Sequence, residues 1–298
     1  MKKIVKIFFG ISALFFSLSF FSMANALDIV FAEDRPDLRT LDPRITQSRH
    51  EEMLIVNIFD QLIAADSEGN HYPGLAKSWN VSSDGLEYTF SLRNDVTFHD
   101  GTKFNAAAVK ATFDSIVDPE TGSQGAVDIL GPYKETVVVD DYTAKVVFER
   151  RYGSALTAFT ETELSIVSPT ALSSLGNDGF GMAPVGTGPF MFKNWEANKK
   201  VELIRNPDYN WAPEYMDGSG PSQVANLTYR LIKDTSTRVA ALEAGEIDIA
   251  ELVPPLDMNR FDSSGDLATV AGTVSGLPYA AFLNTTVGVF QDINVRKA

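Results

Sequence analysis

The chain has 298 residues, a formal net charge of −14 and no cysteine. Disulfides and thiolate metal sites are therefore excluded, and the acidic balance argues against nucleic acid or anionic lipid as partners, since either needs a basic face. Such acidity suits solubility in a crowded compartment, and the length allows two domains or one large one.

Residues 1–26 read as a cleavable export signal. Lys2, Lys3 and Lys6 precede an almost wholly apolar run from Ile7 to Phe21, and Ala24-Asn25-Ala26 has the small-residue pattern of a cleavage site. The run is short for a membrane anchor, and no second stretch is apolar enough to span a bilayer. Losing those three lysines takes the net charge from −14 to −17.

A strand is predicted over 28–32, followed by a polar, irregular segment through Asp42-Pro43. Ser48 stands before the pattern Met53, Val56, Ile58, Phe59, Leu62, which predicts a helix over 50–62. After a turn-rich stretch at 65–70, three alternating runs predict three strands: Trp79 and Val81; Leu86, Tyr88, Phe90 and Leu92; Val96 and Phe98. The breaks between them, Ser83-Asp84-Gly85, Arg93-Asn94-Asp95 and Asp100-Gly101, have turn chemistry. Trp79 is read as core, with a ligand wall as the alternative.

Asn105 is placed to cap a helix that closes near Val117 and carries Ala106, Val109, Phe113 and Ile116 on one side. An excursion over 118–133 leads to a hairpin of 136–139 and 144–149, joined through Asp140-Asp141-Tyr142. Ser154 opens a short helix to Phe159, and Ser168-Pro169 opens another with proline at its first position. A strand over 227–231, a helix begun by Asp234 or Thr235 and stopped by Gly245, and a strand at 247–249 form a strand-helix-strand unit. Val239, Ala240 and Leu242 are expected to face inward there, and a last strand is predicted over 279–283.

No catalytic pattern is present. His50-Glu51 lacks a second histidine four residues on, His99 has no histidine partner nearby, and neither a G-x-S-x-G elbow nor an S-x-x-K pair occurs. Gly186-Thr187-Gly188 is no phosphate loop, because the lysine-serine/threonine pair is missing and Pro189 removes a donor. No cofactor is expected.

The wording from Ser78 to Val109, SW-x-x-S-x-DG-x-x-YTF-x-LR-x-x-V-x-FHDG-x-x-F-x-A-x-x-V, resembles the signature block of extracellular solute-binding proteins of the peptide/nickel class of ABC importers (family 5, dipeptide/oligopeptide-binding type). The LDP turn at 41–43, GPY-x-x-x-VVVDDYT, P-x-GTGPF, the run Arg205-Asn206-Pro207-Asp208-Tyr209 with Trp211 after it, and D-x-x-x-R-x-x-AL-x-AGEIDI resemble the same family. Asn210, between the tyrosine and the tryptophan, is a small departure. The P-x-GTGPF turn is expected to be a rigid connection.

The resemblance implies an α/β fold of the two-lobe periplasmic-binding-protein type (class II) with an additional small subdomain and an incomplete second lobe. The expected division is a signal peptide at 1–26, the first part of lobe I at 27–75, a subdomain of meander, helix and hairpin at 76–180, a return to lobe I at 181–225, and the start of lobe II at 226–298. The family's D-x-x-VR-x-A segment begins a long helix, here reached only at 292–298, so a C-terminally truncated fragment is expected.

By the same resemblance, Thr46, Gln47 and Ser48 are ligand-cleft candidates, the alternative for them being a solvated loop that caps the next helix. Tyr279 and Asn284 are further candidates, with core and strand-end roles as alternatives. The implied function is non-catalytic: a monomeric periplasmic protein that captures a di- or oligopeptide or similar solute and delivers it to ABC permease membrane subunits. A nickel or metal-chelate carrier is the rival within the family, a secreted hydrolase is the rival from another class, and a chaperone-like or receptor role on the same scaffold is a third possibility.

Overall fold

The computed structural model describes residues 27–34, 38–216, 218, 220–265, 267–270 and 285–297. Two compact units are present, one ending at Leu252 and the other beginning at Val253. In the first, β1 (Leu27–Glu33) is followed by α1 (Arg49–Ile58), β2 (Ile63–Ala65), β3 (His71–Pro73), β4 (Ala76–Val81) and β5 (Glu87–Leu92). Then come α2 (Ala106–Val117), α3 (Gly125–Leu130), β6 (Tyr133–Asp140), β7 (Thr143–Phe148), α4 (Ala155–Ala158) and α5 (Pro169–Met182). The unit closes with β8 (Phe190–Glu196), β9 (Lys200–Arg205), β10 (Val224–Leu231), α6 (Thr235–Glu243) and β11 (Ile249–Ala250).

One sheet is mixed, in the order β11-β1-β10-β9-β8. β10 and β11 run parallel to β1 on either side of it, and β9 and β8 continue antiparallel beyond β10. Parallel neighbours need a crossover, and α6 supplies the one between β10 and β11. Asp234 caps α6 by accepting from the Thr237 N–H at 2.7 Å, and Gly245 follows it at φ 69°, a value that favours glycine. The strand-helix-strand expected to open a second lobe at 226 thus shares the sheet of β1.

The inward face of α6 differs from expectation. Arg238, Val239 and Ala241 are buried and Ala240 is exposed. The Arg238 guanidinium is held there by carbonyl oxygens: Nη1 donates to Ile232 at 2.6 Å and Nε to Glu251 at 2.9 Å. A cation whose donors meet the ends of two strands fills a position that hydropathy assigns to an aliphatic.

The second sheet is antiparallel, β4-β5-β7-β6, within the 76–180 stretch, and α2 packs against it. Tyr88, Phe90 and Leu92 from β5 and Ala144, Val146 and Phe148 from β7 face Val109, Phe113 and Phe159 in one apolar cluster. The Asn105 side chain accepts from the Ala108 N–H at 3.1 Å, as the sequence predicts for an N-cap. β4 is an edge strand, so Trp79 is only half-buried against the core and Val81 is 44% exposed.

No third strand forms at Val96–Phe98. Both residues are buried, but the Gly101 N–H returns to the Phe98 carbonyl at 2.9 Å and only an isolated bridge joins Thr97 to Lys103. The turn closes before a ladder can extend. α1 also ends at Ile58, four residues short of the prediction; its buried face is Glu51, Leu54, Ile55 and Ile58, while Val56 is 48% exposed. α5 is broken at Gly176, where φ is 69°.

The second unit contains α7 (Pro255–Ser264) and, further on, α8 (Ile293–Lys297). The strand predicted over 279–283 lies outside the described residues. No helix among the described residues is long and apolar enough to cross a membrane.

Candidate functional site

Ligands of open α/β sheets collect at the carboxyl ends of parallel strands. Here that edge is formed by Glu33, Leu231 and Ala250, stitched together by the Ile232 N–H to the Glu33 carbonyl at 2.9 Å and the Glu251 N–H to the Ala32 carbonyl at 3.0 Å. The segment that leaves β1 at this edge carries the LDP turn and then Thr46, Gln47 and Ser48.

Two buried acids shape that segment. Asp42 and Arg44 are both fully buried: the Asp42 carboxylate accepts from the Arg44 backbone N–H at 2.9 Å, from Nε at 3.0 Å and from Nη2 at 2.6 Å. Arg44 Nη2 also donates to Asn177 Oδ1 at 3.1 Å, and the guanidinium lies 5.6 Å from the Phe180 ring centroid. Glu51, on α1, accepts from the Arg39 N–H at 2.8 Å and from the Thr46 hydroxyl at 2.7 Å. The loop is therefore tied at both ends before any ligand arrives.

Of the three cleft candidates, Thr46 is buried and gives its hydroxyl proton to Glu51. Ser48 is half-buried and caps α1 through its carbonyl, which accepts from Glu51 and Glu52, with no cap bond from its side chain. Gln47 is exposed, and its Nε2 donates to Oε1 of Gln124 at 2.8 Å. Gln124 was not a sequence candidate; it sits in the polar excursion, where only its spatial pairing with Gln47 marks it. Each amide keeps one polar atom for a ligand, an acceptor on Gln47 and donors on Gln124. Tyr279 and Asn284 lie outside the described residues.

The remaining motif residues are fasteners. His99, from FHDG, donates its backbone N–H to the Gly186 carbonyl at 2.9 Å, and its Nε2 lies 3.0 Å from the Gly188 carbonyl. A carbonyl only accepts, so Nε2 carries the proton. Asp100 accepts from Thr102 and from Ser168, whose hydroxyl also caps α5 by accepting from the Ala171 N–H at 3.2 Å. Thr187 donates to Asp60 at 2.7 Å, as do Trp211 Nε1 at 2.9 Å and the Tyr209 hydroxyl at 3.1 Å. These bonds, with the Gly188 N–H to the Ile58 carbonyl at 2.9 Å, fasten the GTGPF turn to the end of α1 and to the FHDG turn.

Burial holds the His99 imidazole down at about 4, against an ordinary value of 6.5, with the Gly188 contact and Asp100 opposing. Between those limits the unfolded chain takes up a proton that the folded chain refuses, so this contribution to stability is intact above pH 6.5 and drains away as pH falls toward 4. The loss reaches about 3 kcal/mol. Urea unfolding at stepped pH is expected to show that slope in the wild type and a shallower one in His99→Gln, which keeps a donor but does not titrate. Equal slopes would exclude His99 as the source.

Among the described residues no group of three or more His, Cys, Asp or Glu side chains is placed to hold a metal ion. The motifs account for packing and loop position, and Gln47, on the segment that follows β1, meets Gln124.

The family described as bacterial extracellular solute-binding proteins, family 5, middle, matches residues 70–298. The chain belongs to this family. Family 5 proteins bind solutes and form a non-enzymatic class, which removes the hydrolase alternative. The glutathione-binding protein GsiB of Escherichia coli K12 is 29% identical over 273 residues, 92% of this chain and 51% of that protein. GsiB of Salmonella typhimurium is 29% identical over 282 residues, 95% and 53%. The chain thus spans about half the length of the curated relatives it matches.

Among solved structures, DppA from Helicobacter pylori in complex with the peptide STSA is similar at a TM-score of 0.68 and 28% identity, over 80% of this chain and 48% of that one. NikZ from Campylobacter jejuni in complex with Ni(L-His) is similar at 0.68 and 26%, over 79% and 45%. Both likenesses cover the mixed α/β fold over part of the relatives' length.

Proposed function

We propose that this chain is the solute-capturing component of an ABC importer, exported to the periplasm behind the signal at 1–26, and that it takes a peptide or peptide-like solute. The fold is then of the two-lobe class II type, with lobe I and the 76–180 subdomain in the first unit and the second lobe beginning after it. Solute is taken at the segment that follows β1, against Gln47, Gln124 and Ser48, with Thr46 fixing the loop; Tyr279 and Asn284 stay candidates that the resemblance implies. Enclosure by both lobes is the signal that the permease reads.

One observation carries the choice of solute: the Gln47–Gln124 pair keeps an acceptor on Gln47 and donors on Gln124, the kinds of group that meet a peptide unit's N–H and C=O. The names of the relatives, for glutathione and for a peptide complex, point the same way. Likeness to NikZ, bound to a nickel–histidine complex, favours a metal-chelate carrier as the second reading.

Thermal denaturation of the purified chain with glutathione, di- and oligopeptides and nickel–histidine separates the two. A ligand at a hundredfold its dissociation constant adds about 2.7 kcal/mol, which for a chain of this size raises the melting temperature by roughly 5–10 °C. The expected result is a rise with a peptide or glutathione that Gln47→Ala diminishes. A rise with nickel–histidine alone selects the second reading, and no rise with any of them rejects both.

A further inference from the structure

A cavity of about 360 Å³ opens at the far end of α1 from Gln47. The ten residues of α1 separate the two places by about 15 Å, at 1.5 Å of rise per residue. Its walls include Tyr209, Trp211, Tyr215 and Met216 as well as Val56 and Phe59, and among the described residues Asp60 is the one charged residue that lines it. The volume is at the small end of the range for ligand pockets, and the composition is theirs: mainly apolar and aromatic with few polar groups.

Asp60 is an unusual choice for such a wall. Burial holds its carboxyl above the usual carboxylate range; three neutral donors, from Thr187, Tyr209 and Trp211, and the charge of Arg93, which is itself paired with Asp95, oppose that, and no cation among the described residues forms an ion pair with it. Donors of this kind offset part of the cost of a buried negative charge, and a cation beside it offsets more. The aromatic residues suit one. Tyr209 and Trp211 are only 4% exposed and stand with ring centroids 4.9 Å apart, while Tyr215, 43% exposed, pairs with Tyr72 at 5.0 Å on the outer side. Ring faces attract ammonium groups most strongly where water is excluded.

The neighbourhood is negative too. Glu161 lies between the lining residues Thr160 and Thr162, and Glu52 is one helical turn before the lining residue Val56. Burial first, and then the nearby Glu163, holds both the Glu52 and the Glu161 carboxyls above the usual carboxylate range; Arg49 is the opposing charge at Glu52. Carboxyl groups therefore flank the lining residues. The aromatic side chains that line the cavity suit an organic cation.

We infer that the cavity beside Asp60 is a second binding site, separate from Gln47 and Gln124, for a small organic ammonium ion whose charge faces the Asp60 carboxylate and whose alkyl groups lie against Tyr209, Trp211 and Tyr215. Nothing in this assignment depends on the solute that Gln47 and Gln124 meet.

Choline and its uncharged isostere 3,3-dimethylbutan-1-ol are the probes, titrated calorimetrically and by NMR of the tryptophan indole N–H groups. Choline is expected to saturate and to bind at least about tenfold more tightly than the isostere, a factor within the reach of a desolvated cation–π contact. The Trp211 resonance is expected to move while those of Trp79 and Trp195 stay. Tyr215→Ala, on the exposed rim, is expected to weaken choline about tenfold without lowering the melting temperature. Equal binding of the two probes, a stationary Trp211 resonance, or full affinity in Tyr215→Ala would each overturn the assignment. Asp60→Asn, if it folds, is expected to abolish the preference for charge.

Discussion

Gly186→Ala is expected to destabilise the chain by about 3–5 kcal/mol, a cost at the upper end for a single added methyl. A Cβ at this position would stand 2.2 Å from the Ile58 carbonyl oxygen and 2.6 Å from Cδ1 of Phe59. The first of these is backbone at the end of α1 and cannot rotate away. Relief requires the whole turn to lift, which strains the contacts made by its neighbours: the Gly188 N–H to Ile58 at 2.9 Å, the His99 N–H to Gly186, and the Thr187 hydroxyl to Asp60. Gly186 is not among the positive-φ glycines, so the penalty is one of space and not of backbone conformation. Gly153→Ala is the control, because nothing lies within 4 Å of its added methyl. Guanidinium unfolding of the two variants should differ by several kcal/mol; similar midpoints would mean that α1 and the turn separate easily.

That joint explains which parts of the fold a sequence can reveal. The hairpin of β6 and β7, the cap at Asn105, the Pro169 start of α5 and the β10-α6-β11 crossover are each governed by residues within a few positions of one another, and each is where patterning puts it. Val96 and Phe98 alternate as strand residues do and are buried as strand residues are, yet the turn at Gly101 limits their pairing to the Phe98 N–H with Thr102, the Val96 carbonyl with Phe104 and one isolated bridge. Ala240 and Arg238 fail for another reason: hydropathy cannot know that three carbonyls wait at the strand ends for a guanidinium.

The site was legible as a segment and not as a set of atoms. Wording at 41–48 points to the segment that follows β1. It could not say that Thr46 turns inward to Glu51, five residues on, or that Gln47 faces Gln124 across 77 positions. Asp60 gave no sign of itself, because its donors come from residues 187, 209 and 211. Polar groups that meet across such separations are specified by the fold, and only the fold displays them.

The loop's dependence on one ion pair gives the second large effect. Asp42→Ala leaves the Arg44 guanidinium fully buried with Asn177 and the Phe180 ring as its remaining partners, while its Nη1 already lacks a hydrogen bond. Removing one member of a buried pair costs about 3–5 kcal/mol, chiefly because the other charge stays behind. Arg44→Met strands the carboxylate and is expected to cost a similar amount. The double variant is expected to recover at least about 2 kcal/mol relative to the sum of the two, since it removes both charges from a site that apolar atoms can fill. Urea unfolding of the four proteins measures the coupling, and additive losses would show that the pair does not act as a unit. Solute affinity then separates stability from position. The pair holds the turn from which Gln47 and Ser48 project, so the double variant, though it regains stability, is expected to bind solute more weakly than the wild type. Full affinity in that variant would mean that Glu51 alone positions the loop, through Arg39 and Thr46.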